Sequence, residues 1–274
     1  MKRNVKTAIS NAAVKLAEEI GAAAIIVVDD GSEKKIKTDI PVIVASVGGG
    51  ADIIKDDLAV NLLSGASTSV NQLRHAVMDA YLKGSIKASD VVVGVIGGEH
   101  ADTIMVYDVS ESPIIRDIDK DIRINARVAK NVLKLALELG YEGRESRKIG
   151  TAFIIGDSDE VLKRSHQMVL NPYEGHKKKD RDITNPDNWE SVKNFAQLDG
   201  VFVVRADGNI LAAGMYLDVD ASSINVKTGL GGRHAASAAI TRDTQAIAVT
   251  VSQSGGIVRI YKDGLQIAEM APTI

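Results

Sequence analysis

The segment Lys227-Thr-Gly-Leu-Gly-Gly-Arg-His234 concentrates residue types suited to holding phosphate, directly before a small-residue run, Ala235–Ile240, that reads as a helix. Glycine lets a backbone approach an anion with no Cβ in the way. A helix start adds unpaired N–H groups and the positive end of the dipole. Arg233 offers a planar fork for phosphate oxygens, and His234 a further donor. No Lys-Ser/Thr pair follows, so this is not a P-loop. The third glycine of a dinucleotide fingerprint is replaced by His234. The plainer alternative is a glycine-rich turn that happens to carry Arg and His.

Asp207 is the candidate carboxylate. It lies in Ala206-Asp-Gly-Asn209 between two β-like runs, Val201–Arg205 and Ile210–Leu217, which reads as a hairpin. A carboxylate at a hairpin tip can hold Mg²⁺ or Mn²⁺, ions that accept few protein oxygens and complete their shell with nucleotide phosphates. The chain has four Asp-Gly pairs, beginning at Asp30, Asp199, Asp207 and Asp263, and turn chemistry alone accounts for each.

The elements that position these residues follow from hydrophobic spacing. Ile9, Ala13, Leu16 and Ile20 recur every three or four residues, a helix over Val5–Ile20 that Gly21 closes. Ala22–Val28, Pro41–Ala45 and Val91–Ile96 are apolar on both faces, as buried parallel strands are. Asn71–Leu82 is helical between them, and Thr103–Val109 is another strand. This half predicts an α/β domain with a parallel sheet. Asp29–Ser32, Gly48–Gly50 and Gly97-Gly98 fall at strand ends, where such sheets bind ligands, although tight turns explain them as well. His75 and His100 stand without partners at ligand spacing.

Turn residues Ser110–Pro113 and a charge-rich stretch place a domain boundary near 115, giving domains 1–115 and 116–274. In the second, a helix over Asp121–Leu139 is closed by Gly140, Gly150–Ile155 is a strand, and Asp157 or Ser158 caps a helix over Asp159–Val169. Asn188–Leu198 is helical; Gln245–Ser252 and Ile257–Tyr261 are strands, with a turn at Asp263-Gly264. Hairpin connections make this second sheet mixed.

Composition bounds the function. With 33 Lys+Arg against 36 Asp+Glu the net charge is −3, which offers no bulk field for nucleic acid. The absence of cysteine excludes disulfides, thiolate zinc sites and cysteine nucleophiles. No apolar run reaches the ~20 residues of a membrane span, and MKRNVKTAIS lacks the apolar stretch of a signal peptide. The expectation is a cytoplasmic protein without membrane or nucleic-acid partners.

VKTAISNAAVKLAEEIGAAAIIVVDDG followed by PVIVAS resembles the C-terminal domain of pyruvate kinases, over about the first 110 residues. That implies a fold, not kinase chemistry. Asp207-Gly208, then Gly229-Leu-Gly-Gly-Arg-His234, then Val249-Thr-Val-Ser252 resemble in order and spacing the diadenylate cyclase domain, with its Asp-Gly-Ala, Arg-His-Arg and "VS" motifs. Thr151–Gly156 and Asn171-Pro172-Tyr173 are similar to that family's opening strand and helix. The combination resembles the archaeal type. Three positions depart from the family pattern: Asn209 for alanine, Ala235 for arginine, and Gln253 for glutamate.

The resemblance implies condensation of two ATP into cyclic di-AMP with release of two pyrophosphates, dependent on Mn²⁺ or Mg²⁺. It implies that Asp207 holds the metal beside the 3′-hydroxyl, and that Arg233 and His234 hold the triphosphate. Thr228, Gly229 and Gly232 would line the phosphate cradle, Gly208 and Leu217 would lie near ribose and adenine, and Ser252 near phosphate. A two-fold symmetric product made from one motif set requires two chains face to face. A nucleotide sensor without turnover is the alternative that the missing third arginine suggests. The ATP is expected between the hairpin tip and the Arg-His corner.

Overall fold

The computed structural model describes residues 2–29, 36–47, 58–62, 69–97, 102–112, 114–116, 125–145, 147–224 and 229–270. The chain divides into two compact units, 1–119 together with 273–274, and 120–272.

In the first unit α1 (Lys2–Ile20) leads into β1 (Ala24–Asp29) through Gly21, whose φ of +65° is the left-handed bend expected of a helix-ending glycine. β2 (Val42–Val47), β3 (Leu58–Leu62), β4 (Val91–Ile96) and β5 (Thr103–Asp108) complete a sheet in the order β3-β2-β1-β4-β5, with α2 (Ser69–Lys83) between β3 and β4. The pairs β1–β2, β1–β4 and β2–β3 are parallel. β4–β5 is antiparallel, which amends the all-parallel expectation. Residues 97–102 are too few for a crossover helix, so the chain can only turn back. Ala13 and Ala17 of α1 pack with Ile25, Val27, Val93 and Val95. On α2, Leu73 lies so close to Gly94 that a Cβ there would meet its Cδ2 at 2.6 Å. Each fully buried Ile or Val contributes about 1.5–3 kcal/mol, and β1 from Ala24 to Val28 is buried throughout.

The second unit holds a seven-stranded mixed sheet, as expected: β6 (Thr151–Ile155), β7 (Ser165–Gln167), β8 (Val201–Val204), β9 (Ile210–Leu217), β10 (Ile247–Val251), β11 (Val258–Lys262) and β12 (Leu265–Met270), in the order β12-β11-β10-β6-β8-β9-β7. Only β6–β8 is parallel. Side chains alternate across the sheet. Ala152, Ile154, Ala248 and Tyr261 cluster with Ala238 and Ile240, while Phe153 stacks on Phe202 at 4.9 Å. Three more helices, α3 (Ala126–Glu142), α4 (Ser158–Lys163) and α5 (Trp189–Phe195), precede α6 (Gly232–Asp243).

Several boundaries differ from the sequence reading. α3 runs through Gly140 and ends at Gly143, where φ is +64°. The turn of helix at Gly140 is closely approached by Gly256, where a Cβ would meet the Gly140 carbonyl oxygen at 2.0 Å. The helix expected over Asp159–Val169 stops at Lys163, and β7 pairs with β9, Ser165 opposite Leu217. Asp157 makes no capping bond; its carboxylate accepts from the Gln245 N–H at 2.8 Å. β12 follows the Asp263-Gly264 turn, beyond the last strand that the sequence pattern predicts. Thr228, residues 30–32 and 48–50, Gly98, His100 and residues 121–124 lie outside the described residues. Among the described residues no helix is long and apolar enough to cross a membrane.

Candidate functional site

Four chain segments meet around a cavity of about 680 Å³ in the second unit. They are the entry to β8 (Asp199, Gly200, Val201), the end of β9 (Met215, Tyr216, Leu217), the end of β10 (Val251) with Ser252–Ser254, and the start of α6 with its glycines. Met168, just beyond β7, closes one side.

The α6 start provides the anion side. Its cap position, Gly231, supplies no side chain to cap the helix; the His234 N–H bonds the Gly231 carbonyl at 3.0 Å, and among the described residues no partner takes the N–H groups of Gly232 and Arg233. Gly229 has φ +93°, a conformation that favours glycine. A Cβ added at Gly229, Gly231 or Gly232 would meet no atom within 4 Å, so the open space on this side is what side chains would fill. Arg233 is the second residue of α6, and its Nη2 donates to Asp199 Oδ1 at 2.8 Å. Gly150 leaves room for that guanidinium: a Cβ there would lie 3.0 Å from Arg233 Nη1.

His234 is 5% exposed. Its Nδ1 lies 3.1 Å from the Tyr261 hydroxyl and 3.0 Å from Thr250 Oγ1. Burial, then the charges of Arg259 and Arg233, push its pKa down to about 4, so the ring is neutral at neutral pH. The opposite wall is apolar, with Met168, Met215 and Leu217 beside the half-exposed Tyr216 ring, a surface that suits a flat heterocycle.

Arg233, His234, Gly229, Gly232, Leu217 and Ser252 are thus brought together. Asp207 and Gly208 are not. Val201 pairs with Met215 at the cavity end of the β8–β9 hairpin, and Val204 pairs with Ile210 at the other end. Three residues of strand, about 10 Å, separate the two ends. The tip carrying Asp207 and Gly208 lies with Gly156 at the far end of β6, where the Gly156 N–H bonds the Val204 carbonyl. Asp207 is engaged there: Arg205 Nε donates to Oδ1 at 3.0 Å, Arg205 Nη2 to Oδ2, and the Asn209 N–H to Oδ1 at 3.1 Å. These bonds, that of Arg205 foremost, hold its carboxyl below the ordinary range. Gly208 packs against Thr184 and Asp182. The metal role expected of Asp207, the ribose role of Gly208, and the expectation of ATP beside the hairpin tip are therefore corrected.

The carboxylate in the cavity is Asp199, from the Asp-Gly pair that reads as a plain turn. Its side chain is 79% exposed, and both of its hydrogen bonds, from the Gly200 N–H and from Arg233, fall on Oδ1. A single carboxylate beside a phosphate cradle fits Mg²⁺ or Mn²⁺, which draw their other ligands from phosphate and water. Among the described residues no group of three or more His, Asp or Glu gathers as an all-protein metal site. One signal in the sequence favoured Asp199: it precedes a wholly apolar run, Val201–Val204, whereas Asp207 joins two runs as any hairpin tip does.

A family profile described as DisA bacterial checkpoint controller nucleotide-binding matches residues 138–265. A second, described as probable sensor domain DacZ_A, matches residues 8–110. The chain is 38% identical over 183 residues to a diadenylate cyclase of Methanocaldococcus jannaschii, covering 67% of this chain and 55% of that protein. It thus spans about half the length of that relative. It is 32% identical over 245 residues to a diadenylate cyclase of Haloferax volcanii, covering 88% of each chain. The crystal structure of DacA from Staphylococcus aureus aligns over 53% of this chain and 86% of that one, with 19% identity and a TM-score of 0.35.

Proposed function

Because the chain belongs to the diadenylate cyclase family, we propose that its cavity binds ATP and that two facing chains join two ATP molecules into cyclic di-AMP, releasing two pyrophosphates. The observation that carries the reading is the convergence of Asp199, Arg233, His234 and the uncapped start of α6 on one cavity with an apolar wall.

The triphosphate lies at the α6 start, where the N–H groups, Arg233 and the neutral His234 ring donate to its oxygens. Leu217, Met168 and Met215 accept the adenine. The 3′-hydroxyl of the facing ATP attacks the α-phosphate; the new P–O bond forms as the bond to the β-phosphate breaks and pyrophosphate leaves with its charge met by Arg233 and His234. Asp199 orients the hydroxyl and takes its proton toward solvent. Mn²⁺ or Mg²⁺ at Asp199 would lower the cost of the alkoxide and neutralise phosphate charge. Gly229, Gly232 and Ser252, which line the cavity, are assigned to the phosphates, and Thr228 to the same cradle by resemblance.

Self-association follows from the product's symmetry, because one chain carries one such cavity among its described residues. The chemistry is assigned to 116–274 and none to 1–115, and the proposed use of ATP agrees with the cytoplasmic location expected from the sequence. Incubation with ATP and Mn²⁺ or Mg²⁺, followed by chromatography, tests it: cyclic di-AMP is expected from the native chain and far less of it from Asp199→Asn. Bound ATP without any product would favour the nucleotide sensor, as the departures Ala235 and Gln253 suggest; Gln253 lines the cavity.

A further inference from the structure

Two hydroxyls behind the cavity converge on one ring nitrogen. Thr250 of β10 is fully buried and Tyr261 of β11 is 1% exposed. Both reach His234 Nδ1, from 3.0 Å and 3.1 Å, and neither lines the cavity. The phenol hydrogen must be donated somewhere, since an unspent buried donor is costly. Its pKa is raised to about 12, chiefly by burial, so the phenol keeps that hydrogen at working pH. Among the described residues Nδ1 is the partner of the Tyr261 hydroxyl, whereas the Thr250 hydroxyl also has the Arg259 carbonyl at 3.5 Å. If Nδ1 carried a hydrogen, the phenol hydrogen would be stranded. With Nδ1 as acceptor every hydroxyl hydrogen finds an oxygen or nitrogen.

We propose that Thr250 and Tyr261 are positioning residues: they hold His234 Nδ1 as an acceptor, fix the ring plane, and so present an Nε2–H donor to the triphosphate in the cavity. The proposal rests on the reading of this cavity as the ATP site. It gives a reason for a phenol in the cluster of Ala152, Ile154, Ala238 and Ala248 and for a threonine paired opposite Ala152. A neutral, pre-aimed donor needs no reorganisation as charge builds on the departing pyrophosphate, so its value falls on kcat more than on KM.

The tautomer can be read without substrate. The full chain has five histidines, and long-range ¹H–¹⁵N spectra of histidine-labelled protein distinguish the two neutral forms, with His234 assigned by its loss in His234→Gln. The native ring is expected as a single Nε2–H tautomer. Combining Tyr261→Phe with Thr250→Val should give a tautomer mixture and lower kcat about tenfold, the scale on which orienting partners of histidine act, with KM for ATP changed less than twofold. The acid limb of its pH profile should also move to higher pH, although Arg233 on the same helix and Arg259 on β11 still oppose protonation and Glu269 on β12 still favours it. Thr250→Ser, which keeps the hydroxyl, should restore native behaviour, and each single variant guards against misfolding of the double. A native ring protonated at Nδ1, or a double variant with native tautomer or native kcat, would overturn the proposal. A native Nε2–H ring in a chain that makes no cyclic dinucleotide would instead overturn the cyclase reading and leave the hydrogen-bond arrangement standing.

Discussion

At the scale of single residues, two aspartates in identical Asp-Gly dipeptides separate by what surrounds them. Asp199 is open to the cavity with one oxygen toward Arg233, while Asp207 is tied to its own turn by Arg205 and Asn209. Asp199→Asn is therefore expected to cut cyclic di-AMP formation by about two to three orders of magnitude, the loss typical of removing a group that meets transition-state charge, with ATP binding measured by calorimetry largely kept. Asp207→Asn should leave turnover within about threefold, because an exposed ion pair contributes about 0–1 kcal/mol. His234 makes a second prediction. Its folded pKa is about 4 against ~6.5 unfolded. Between those values the unfolded chain binds a proton that the folded chain refuses, so stability falls as pH drops through that window and this group has no effect above it. Melting temperatures of native protein and His234→Gln, compared across that window, should converge as pH falls. The Arg-His pair was legible in the sequence because glycines and a helix start surround it. The choice between Asp199 and Asp207 was not, because it depends on which end of a hairpin faces α6, and that is a matter of strand pairing.

At the scale of elements, the cavity depends on close backbone approaches that only glycine permits. Gly200, with φ +103°, brings the entry of β8 against β9: a Cβ there would meet the Met215 carbonyl oxygen at 2.6 Å. Gly200→Ala should cost about 3 kcal/mol in denaturant unfolding, from positive-φ strain plus the clash, and should displace Asp199 beside it. Gly231→Ala is the contrast. Its φ is −71° and no atom lies within 4 Å of the added Cβ, so stability should change by no more than about 1 kcal/mol. The methyl would instead enter the phosphate side of the cavity and raise KM for ATP. Elements with a clear local pattern, the three-and-four spacing of α1 and the apolar runs of β4 and β9, were legible locally. β7 was not: Ser165–Gln167 continues the polar pattern of α4, and only pairing with β9, with the Ser165 hydroxyl bonding back to Val161 at 2.9 Å, ends the helix. That ending is what brings Met168 to the cavity wall.

At the scale of the whole molecule, the proposed chemistry demands more than one chain. A cyclic dinucleotide contains two equivalent phosphodiester bonds, and each requires a triphosphate held at one α6 start and a 3′-hydroxyl delivered from an opposed site. Met168, 45% exposed, and Tyr216, 52% exposed, line the cavity, and the proposal puts the opposed site against them. Oriented attack then supplies much of the acceleration, because two bound nucleotides react as one unit. The consequence is measurable without knowing the geometry of the pair. If native chain is mixed with Asp199→Asn at constant total concentration and allowed to exchange, cyclic di-AMP formation should follow the square of the native fraction. At equal parts the rate should be about a quarter of the native rate, as for a two-fold assembly that needs both sites intact. A linear dependence would mean that one chain suffices. A rate per chain that stays constant on dilution through the range where the mass falls to that of a monomer would mean the same.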